Sequence, residues 1–247
     1  MTHDEHCDEL DREIDRFADA LASADPTAPV PSCPDWTVRD LTEHLGTVHR
    51  WATRLVSERS PARIPRAGLT SDADAVDARW LREGGRALVE VLRGADGDEA
   101  MWAWGTDQHV RFWSRRQLHE TFVHRLDLEL ATGATSYVDP AVALDAIDEF
   151  LENMKADGDI TLRARDGRDG ELFRIRSTAP TGQWSVRLTG DGYDFVEAGH
   201  ESDAELVGPA GDVLKVILRR GDRARCDVSV SGDHSLVEYW LAQTAFL

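Results

Sequence analysis

The sequence predicts an α+β protein of two domains, a helical bundle over residues 1–157 followed by a smaller α/β domain over residues 158–247. Three observations predict it. A length of 247 residues, at ~150 residues per domain, allows one or two domains. Apolar residues recur with a helical period through the first 155 positions. After Gly158 the pattern changes to short β-type runs separated by Gly and Asp. No internal repeat or low-complexity tract is present in either half.

The first half divides into successive helices. Leu10, Ile14, Phe17, Ala18 and Leu21 keep one face, and Asp25-Pro26 stops that helix. The stretch before it, from Met1, is expected to be a frayed, acidic start with solvated His3 and His6. Prolines at 29, 31 and 34 predict a stiff, extended linker. Thr37 then caps a second helix whose face holds Leu41, His44, Leu45, Val48, Trp51, Ala52 and Leu55. Ser57 to Thr70, with Pro61, Pro65 and Gly68, reads as a loop. Ala75 to Arg93 resumes a helical pattern despite Gly84-Gly85. A further loop, Gly94 to Asp107, leads to a helix from about Phe112 to Ala131 that ends at Gly133. Pro140 opens a helix through Val142, Leu144, Ile147, Phe150 and Leu151.

In the second half, Leu172–Ser177, Trp184–Thr189, Tyr193–Glu197, Ala204–Val207 and Cys226–Ser231 are the strand candidates. Gly211 to Arg219 is expected as an amphipathic helix between the last two strands, and Ser235 to Ala245 as a closing one.

Charge narrows the function classes. Asp and Glu total 46 against 28 Lys and Arg, a net charge of −18, and such a body repels phosphate backbones and anionic membranes. No apolar run approaches the ~20 residues of a membrane span. The N-terminus lacks the apolar core of a signal peptide. Cys7, Cys33 and Cys226 form no Cys-x-x-Cys pair, so reduced thiols and a cytoplasmic location are expected.

Among nine histidines, few stand where chemistry is expected. His200 and His234 fall in turn-like contexts. Glu120 and His124 are four apart and Asp127 is three further on, so all three line one face of a helix. A carboxylate and an imidazole one turn apart can hold one side of a divalent metal. The same spacing also describes a plain solvated pair. His44, on another helix among apolar neighbours, needs a partner, and a bundle can bring two such helices together around a metal. Asp127 is then a further oxygen ligand or the acceptor that fixes the ring's tautomer. His49, about 140° around the helix from His44, is expected at a surface or interface. Two imidazoles and one carboxylate leave open positions, as catalytic metal sites do.

The run Pro31-Ser32-Cys33-Pro34-Asp35-Trp36-Thr37-Val38-Arg39-Asp40-Leu41-Thr42-Glu43-His44-Leu45 resembles the start of the second helix in the mycothiol-dependent maleylpyruvate isomerase family, among the DinB-like metalloenzymes. That family has a Trp-Thr pair and a metal-binding His eight residues after the Trp, where His44 stands. Its second ligand helix, Glu-x-x-x-His-x-x-Asp, is similar to Glu120, His124 and Asp127. The resemblance implies a DinB-like four-helix bundle and a sterol-carrier-like C-terminal domain. It further implies zinc, or another divalent metal, on His44, Glu120 and His124, and mycothiol as thiol cosubstrate. It also implies a substrate-facing Arg at an Arg-Gly helix end, matched by Arg220 before Gly221. The bland alternative for Arg220 is a cation closing a helix C-terminus.

None of the three cysteines falls at a motif position, so a thiol nucleophile is expected from outside the protein. The resemblance implies addition of a low-molecular-weight thiol to a small electrophile. The outcome is either isomerisation of a maleylpyruvate-like substrate or thiol S-transfer. The alternatives are a non-catalytic metal-binding protein on the same scaffold and a hydrolase using metal-bound water.

Overall fold

The computed structural model describes residues 1–66, 76–156, 168–190, 192–197, 199–221 and 223–244. The chain forms two compact units, Met1–Ser136 and Tyr137–Leu247. The first is helical and the second is built on a mixed sheet, as the α+β reading expects.

The first unit holds α1 (His3–Leu21), α2 (Val38–Glu58), α3 (Ala78–Arg93) and α4 (Val110–Thr132). α1 packs on α3 and α4, and α2 packs on the same two, so the bundle closes in the order α1, α3, α2, α4. Phe17, Val38, Leu41, Leu45, Leu81 and Leu128 meet in one buried cluster. The N-terminus is not frayed. Thr2 and Glu5 form a reciprocal cap that satisfies the first N–H groups and starts α1 at His3. His6 is buried, and His3 bonds Ser114 Oγ at 2.9 Å and the Leu92 carbonyl at 3.0 Å.

The proline segment also differs from the stiff linker expected. Val30 N–H donates to the Trp36 carbonyl and Val38 N–H to that of Ala28, folding the segment back on itself. Asp35 takes φ 67°, a left-handed turn conformation that short polar side chains tolerate better than most. Thr37 caps α2 as expected, with Asp40 completing the box. α2 ends at Arg59, in the left-handed region. Of the loop that follows, Gly68 and Thr70 lie outside the described residues, as does Ala75 at the expected start of α3. The glycines within α3 allow close approach, since a Cβ on Gly85 would come 2.8 Å from Ile14 of α1. α4 ends at Gly133, φ 70°, as the sequence predicts.

The second unit begins with α5 (Pro140–Ala156). The boundary expected between 157 and 158 lies one helix later than the division at 136/137, and residues 157–167 are outside the described ones. α5 joins the second unit because its partners are there. Trp184 Nε1 donates to Asp148 Oδ1 at 2.5 Å, and the Tyr193 hydroxyl donates to the Leu151 carbonyl. Strands β1 (Leu172–Thr178), β2 (Thr181–Thr189), β3 (Gly192–Phe195), β4 (Ala204–Gly208) and β5 (Ser229–Gly232) lie in the order β3-β2-β1-β4-β5. β1 pairs antiparallel with β2 and parallel with β4. α6 (Ala210–Ile217) and α7 (His234–Gln243) complete the unit, and Phe173, Ile175, Val186, Leu206, Leu214 and Trp240 are buried. His200 and His234 are exposed.

One buried ion cluster ties α1 to α4. Arg125 donates to Glu13 Oε2 at 2.5 Å and to Glu129 Oε1 at 2.6 Å, with Arg125 and Glu13 only 2% and 1% exposed. Arg125→Ala takes the buried partner from Glu13 Oε2 and leaves Arg16 on Oε1, and about 3 kcal/mol of stability should be lost in urea unfolding. Arg125→Met combined with Glu13→Leu removes both charges and should lose much less. Equal losses would show that the pair's burial is not what matters.

Candidate metal centre

α2 carries His44 and α4 carries Glu120 and His124, and the two helices are neighbours. His44 Nε2 lies 3.3 Å from Glu120 Oε1, and His124 Nε2 lies 3.4 Å from the same oxygen. One ligand atom from each of the three falls within 4.8 Å of the others. The imidazoles meet edge to face, centroids 5.0 Å apart. Trp36 lies against both, 4.9 Å from His44 and 6.4 Å from His124 between centroids.

The far side of His124 is occupied. Its Nδ1 is 2.9 Å from Asp127 Oδ2, and Asp127 is fully buried. A carboxylate accepts there, so Nδ1 carries the proton, and deprotonation at neutral charge leaves the lone pair on Nε2, the atom that faces Glu120 and His44. Asp127 thus sits where it can fix the tautomer. It is also within reach of Ser32 Oγ at 2.5 Å and Cys33 Sγ at 3.6 Å. The sequence motifs assign no cysteine a role, yet Cys33, His124 and Asp127 also gather ligand atoms within 4.8 Å. Among the described residues Cys7, Cys33 and Cys226 form no disulfide.

Charge at the centre is strongly coupled. Burial pushes the Glu120 carboxyl up, but hydrogen bonds from His124 and His44 and the charges of His124 and Arg116 hold it well below the usual carboxylate range. Arg116 Nη2 lies 3.3 Å from Glu120 Oε2. Burial pulls the His124 imidazole down, but hydrogen bonding to Asp127 and Glu120, and their charges, outweigh it and raise its pKa to about 9. An anionic oxygen with two imidazole nitrogens turned toward it is a donor set that suits zinc or a similar divalent ion.

His49 is corrected from the surface to the core. It is 0% exposed, its Nε2 is 2.9 Å from Thr121 Oγ1, and burial depresses its pKa to about 3. Thr121 gives its own proton to the Gln117 carbonyl, so His49 Nε2 must be the donor in that pair. The sequence offered a periodicity for His49 but no sign that Thr121, 72 positions away, would meet it. Arg220 belongs to the second unit. It follows α6, its Nη1 donates to the Leu218 carbonyl at 2.8 Å, and its backbone N–H donates to the Lys215 carbonyl at 2.8 Å.

The fold and these residues define a helical-bundle domain with a two-His, one-Glu cluster, joined to a mixed-sheet domain. Residues 7–129 match the family described as "Mycothiol maleylpyruvate isomerase N-terminal domain". Through that domain the chain belongs to the mycothiol-dependent maleylpyruvate isomerase family. The crystal structure of the mycothiol-dependent maleylpyruvate isomerase is similar over 94% of this chain and 93% of that one, at 13% identity and a TM-score of 0.62. A histidine-to-alanine mutant of that isomerase gives the same coverage and identity with a TM-score of 0.63. At this identity the likeness is one of fold. No curated protein matches the sequence.

Two measurements check the cluster. Elemental analysis of the purified chain should find about one divalent ion, lost in His44→Ala and His124→Ala and only weakened in Asp127→Asn. The second is pH dependence. The metal-free His124 is protonated below its pKa of about 9, so the ion must displace that proton. Apparent affinity should therefore climb as pH rises toward about 9 and then level off. A flat profile between pH 6.5 and 9 would remove His124 from the ligand set.

Proposed function

We propose that this protein is a metal-dependent enzyme that adds a low-molecular-weight thiol, mycothiol in the reading its family favours, to a small electrophile. The observation that carries this is the convergence of His44, Glu120 and His124 on one oxygen, with Asp127 behind His124. A divalent ion held there would supply a cation beside the thiol, which favours the thiolate at neutral pH.

The chain's own residues do the rest. Glu120 stays ionised because His44, His124 and Arg116 surround it with donors and positive charge. Asp127 holds the proton on His124 Nδ1 and so keeps Nε2 turned to the site. Trp36 covers the imidazoles with an apolar ring, which limits water on that side. The thiolate sulfur adds to an electron-poor carbon of a double bond, whose π pair moves onto the substrate. If rotation about the former double bond precedes expulsion of the thiolate, which re-forms it, the result is isomerisation of a maleylpyruvate-like acid. If the thiol stays and the carbanion takes a proton from water, the result is a thioether, the product of S-transfer. The role that family resemblance gives Arg220, meeting an anionic group of the substrate or thiol carrier, is part of this proposal. So is a cytoplasmic setting with reduced thiols. Among the described residues no helix is long and apolar enough to cross a membrane.

Turnover of maleylpyruvate and a panel of electrophiles decides between the readings. Activity should require both metal and mycothiol, and withdrawal of either should abolish it. Turnover with metal but no thiol would instead establish a hydrolase, and metal binding with no turnover an interaction protein. Arg220→Ala should lower kcat/KM for anionic electrophiles by about tenfold, roughly one lost charge-assisted contact, and leave neutral ones nearly unchanged. An equal loss for both would reject that role.

A further inference from the structure

The segment before α2 does more than enter the helix. Ser32 and Cys33 both reach Asp127 from a position 94 or 95 residues earlier in the chain. Ser32 Oγ donates to Asp127 Oδ1 at 2.5 Å. On the other oxygen, Oδ2, the carboxylate receives His124 Nδ1 at 2.9 Å and the more distant Cys33 Sγ at 3.6 Å. A short side chain such as Asp has two torsions to fix. A hydrogen bond at each oxygen fixes both, and buried charge-assisted bonds of this kind are the strong ones. The loop itself is anchored, since the Val30–Trp36 and Val38–Ala28 backbone bonds close it and Val30 is buried in the bundle core.

We propose that Ser32 is a positioning residue for the metal centre: its hydroxyl fixes Asp127, which in turn fixes the tautomer and ring plane of His124. This rests on the proposed ligand set and adds a residue to it that does not touch the metal. Without the hydroxyl, the Asp127 carboxylate loses the short bond at Oδ1 and is held less firmly about its partners on Oδ2. His124 then spends part of its time turned away from Glu120 and His44. The consequence is a weaker site in an unchanged fold, because Ser32 is half-buried at the rim and fills no core space.

The test uses the full-length protein stripped of metal and titrated with Co2+ alone as the probe, in wild type, Ser32→Ala and Ser32→Thr. Ser32→Ala should bind Co2+ about tenfold more weakly, the lower end of the effect of removing a partner behind a ligating His. Its ligand-field spectrum should also change shape. Ser32→Thr keeps the hydroxyl and should recover most of the affinity and the wild-type spectrum. Far-ultraviolet and tryptophan-fluorescence spectra of the three metal-free proteins should coincide, while loss of the hydrogen bond lowers the melting temperature of Ser32→Ala and Ser32→Thr restores it. Wild-type affinity and spectrum in Ser32→Ala would overturn the proposal. So would an unrescued loss in Ser32→Thr, or a loss accompanied by altered far-ultraviolet or fluorescence spectra of the metal-free protein. Failure of the enzymatic reading is separate: a wild type that binds Co2+ but shows no thiol-dependent turnover would reject that activity, and the affinities of the Ser32 variants would still decide this proposal. A wild type that binds no Co2+ overturns both.

Discussion

Glu120 must keep a negative charge where water is largely excluded, and the arrangement of the first unit follows from that requirement. Burial alone would push its pKa up. What prevents this is a ring of donors from two helices: His44 from α2, and Arg116 and His124 from α4, one turn before and one turn after Glu120 itself. The i, i+4 steps come free with a helix. The contact to His44 does not, and it requires α2 and α4 to lie side by side in a fixed register. Leu41 and Leu45, flanking His44, are buried in the core cluster that includes Leu128 of α4, and His49 bonds Thr121 further along. These contacts set the register in which the centre forms.

The legible part of the centre was the part encoded by short-range spacing. Glu120, His124 and Asp127 share a face because of the helical period, and the apolar neighbours of His44 showed it to be an unusual imidazole. Element identities were legible for the same reason. Among the described residues, the five strands and seven helices follow alternation, capping and Gly or Pro punctuation, and Thr37 and Gly133 stand at the ends they predict. What was not legible depends on residues far apart in sequence. Nothing local marks Ser32 as a partner of Asp127. Nothing local shows that the N-terminal turn is anchored by His3 on Ser114 and Leu92, so its acidic composition suggests fraying where the structure has a capped helix. α5 continues the helical periodicity of the first half, and only its contacts with Trp184 and Tyr193 assign it to the second unit.

The acidity of the chain is handled differently at the surface and inside. Along α1, Asp8 and Asp11 meet Arg93, while Asp15 and Asp19 meet Arg82 of α3, all at partly exposed positions. Such pairs contribute little one by one, and salt weakens them further. They do keep like charges on α1 from repelling an approach by α3. The Arg125–Glu13 pair is another matter, because both groups have left water and removing either takes a close partner from a buried charge. Arg suits that place better than Lys, since its planar fork serves Glu13 and Glu129 together.

Two histidines of α2, five residues apart, show why the same side chain ends in different states. His44 stands at the half-buried rim with its Nε2 toward a carboxylate, which accepts the Nε2 proton where a cation is favoured in its place. His49 is fully enclosed, spends its Nε2 proton on Thr121, and has an Nδ1 with no hydrogen-bond partner. Burial without a carboxylate partner drives its pKa to about 3, and it remains neutral across the physiological range. His124 combines the two situations. It is nearly as buried, yet carboxylates on both sides raise its pKa to about 9. The difference between 3 and 9 lies in the partners, not in depth. An imidazole held between two carboxylates gives up its proton readily only when another cation takes the proton's place on Nε2, and that exchange is the one a divalent metal would perform.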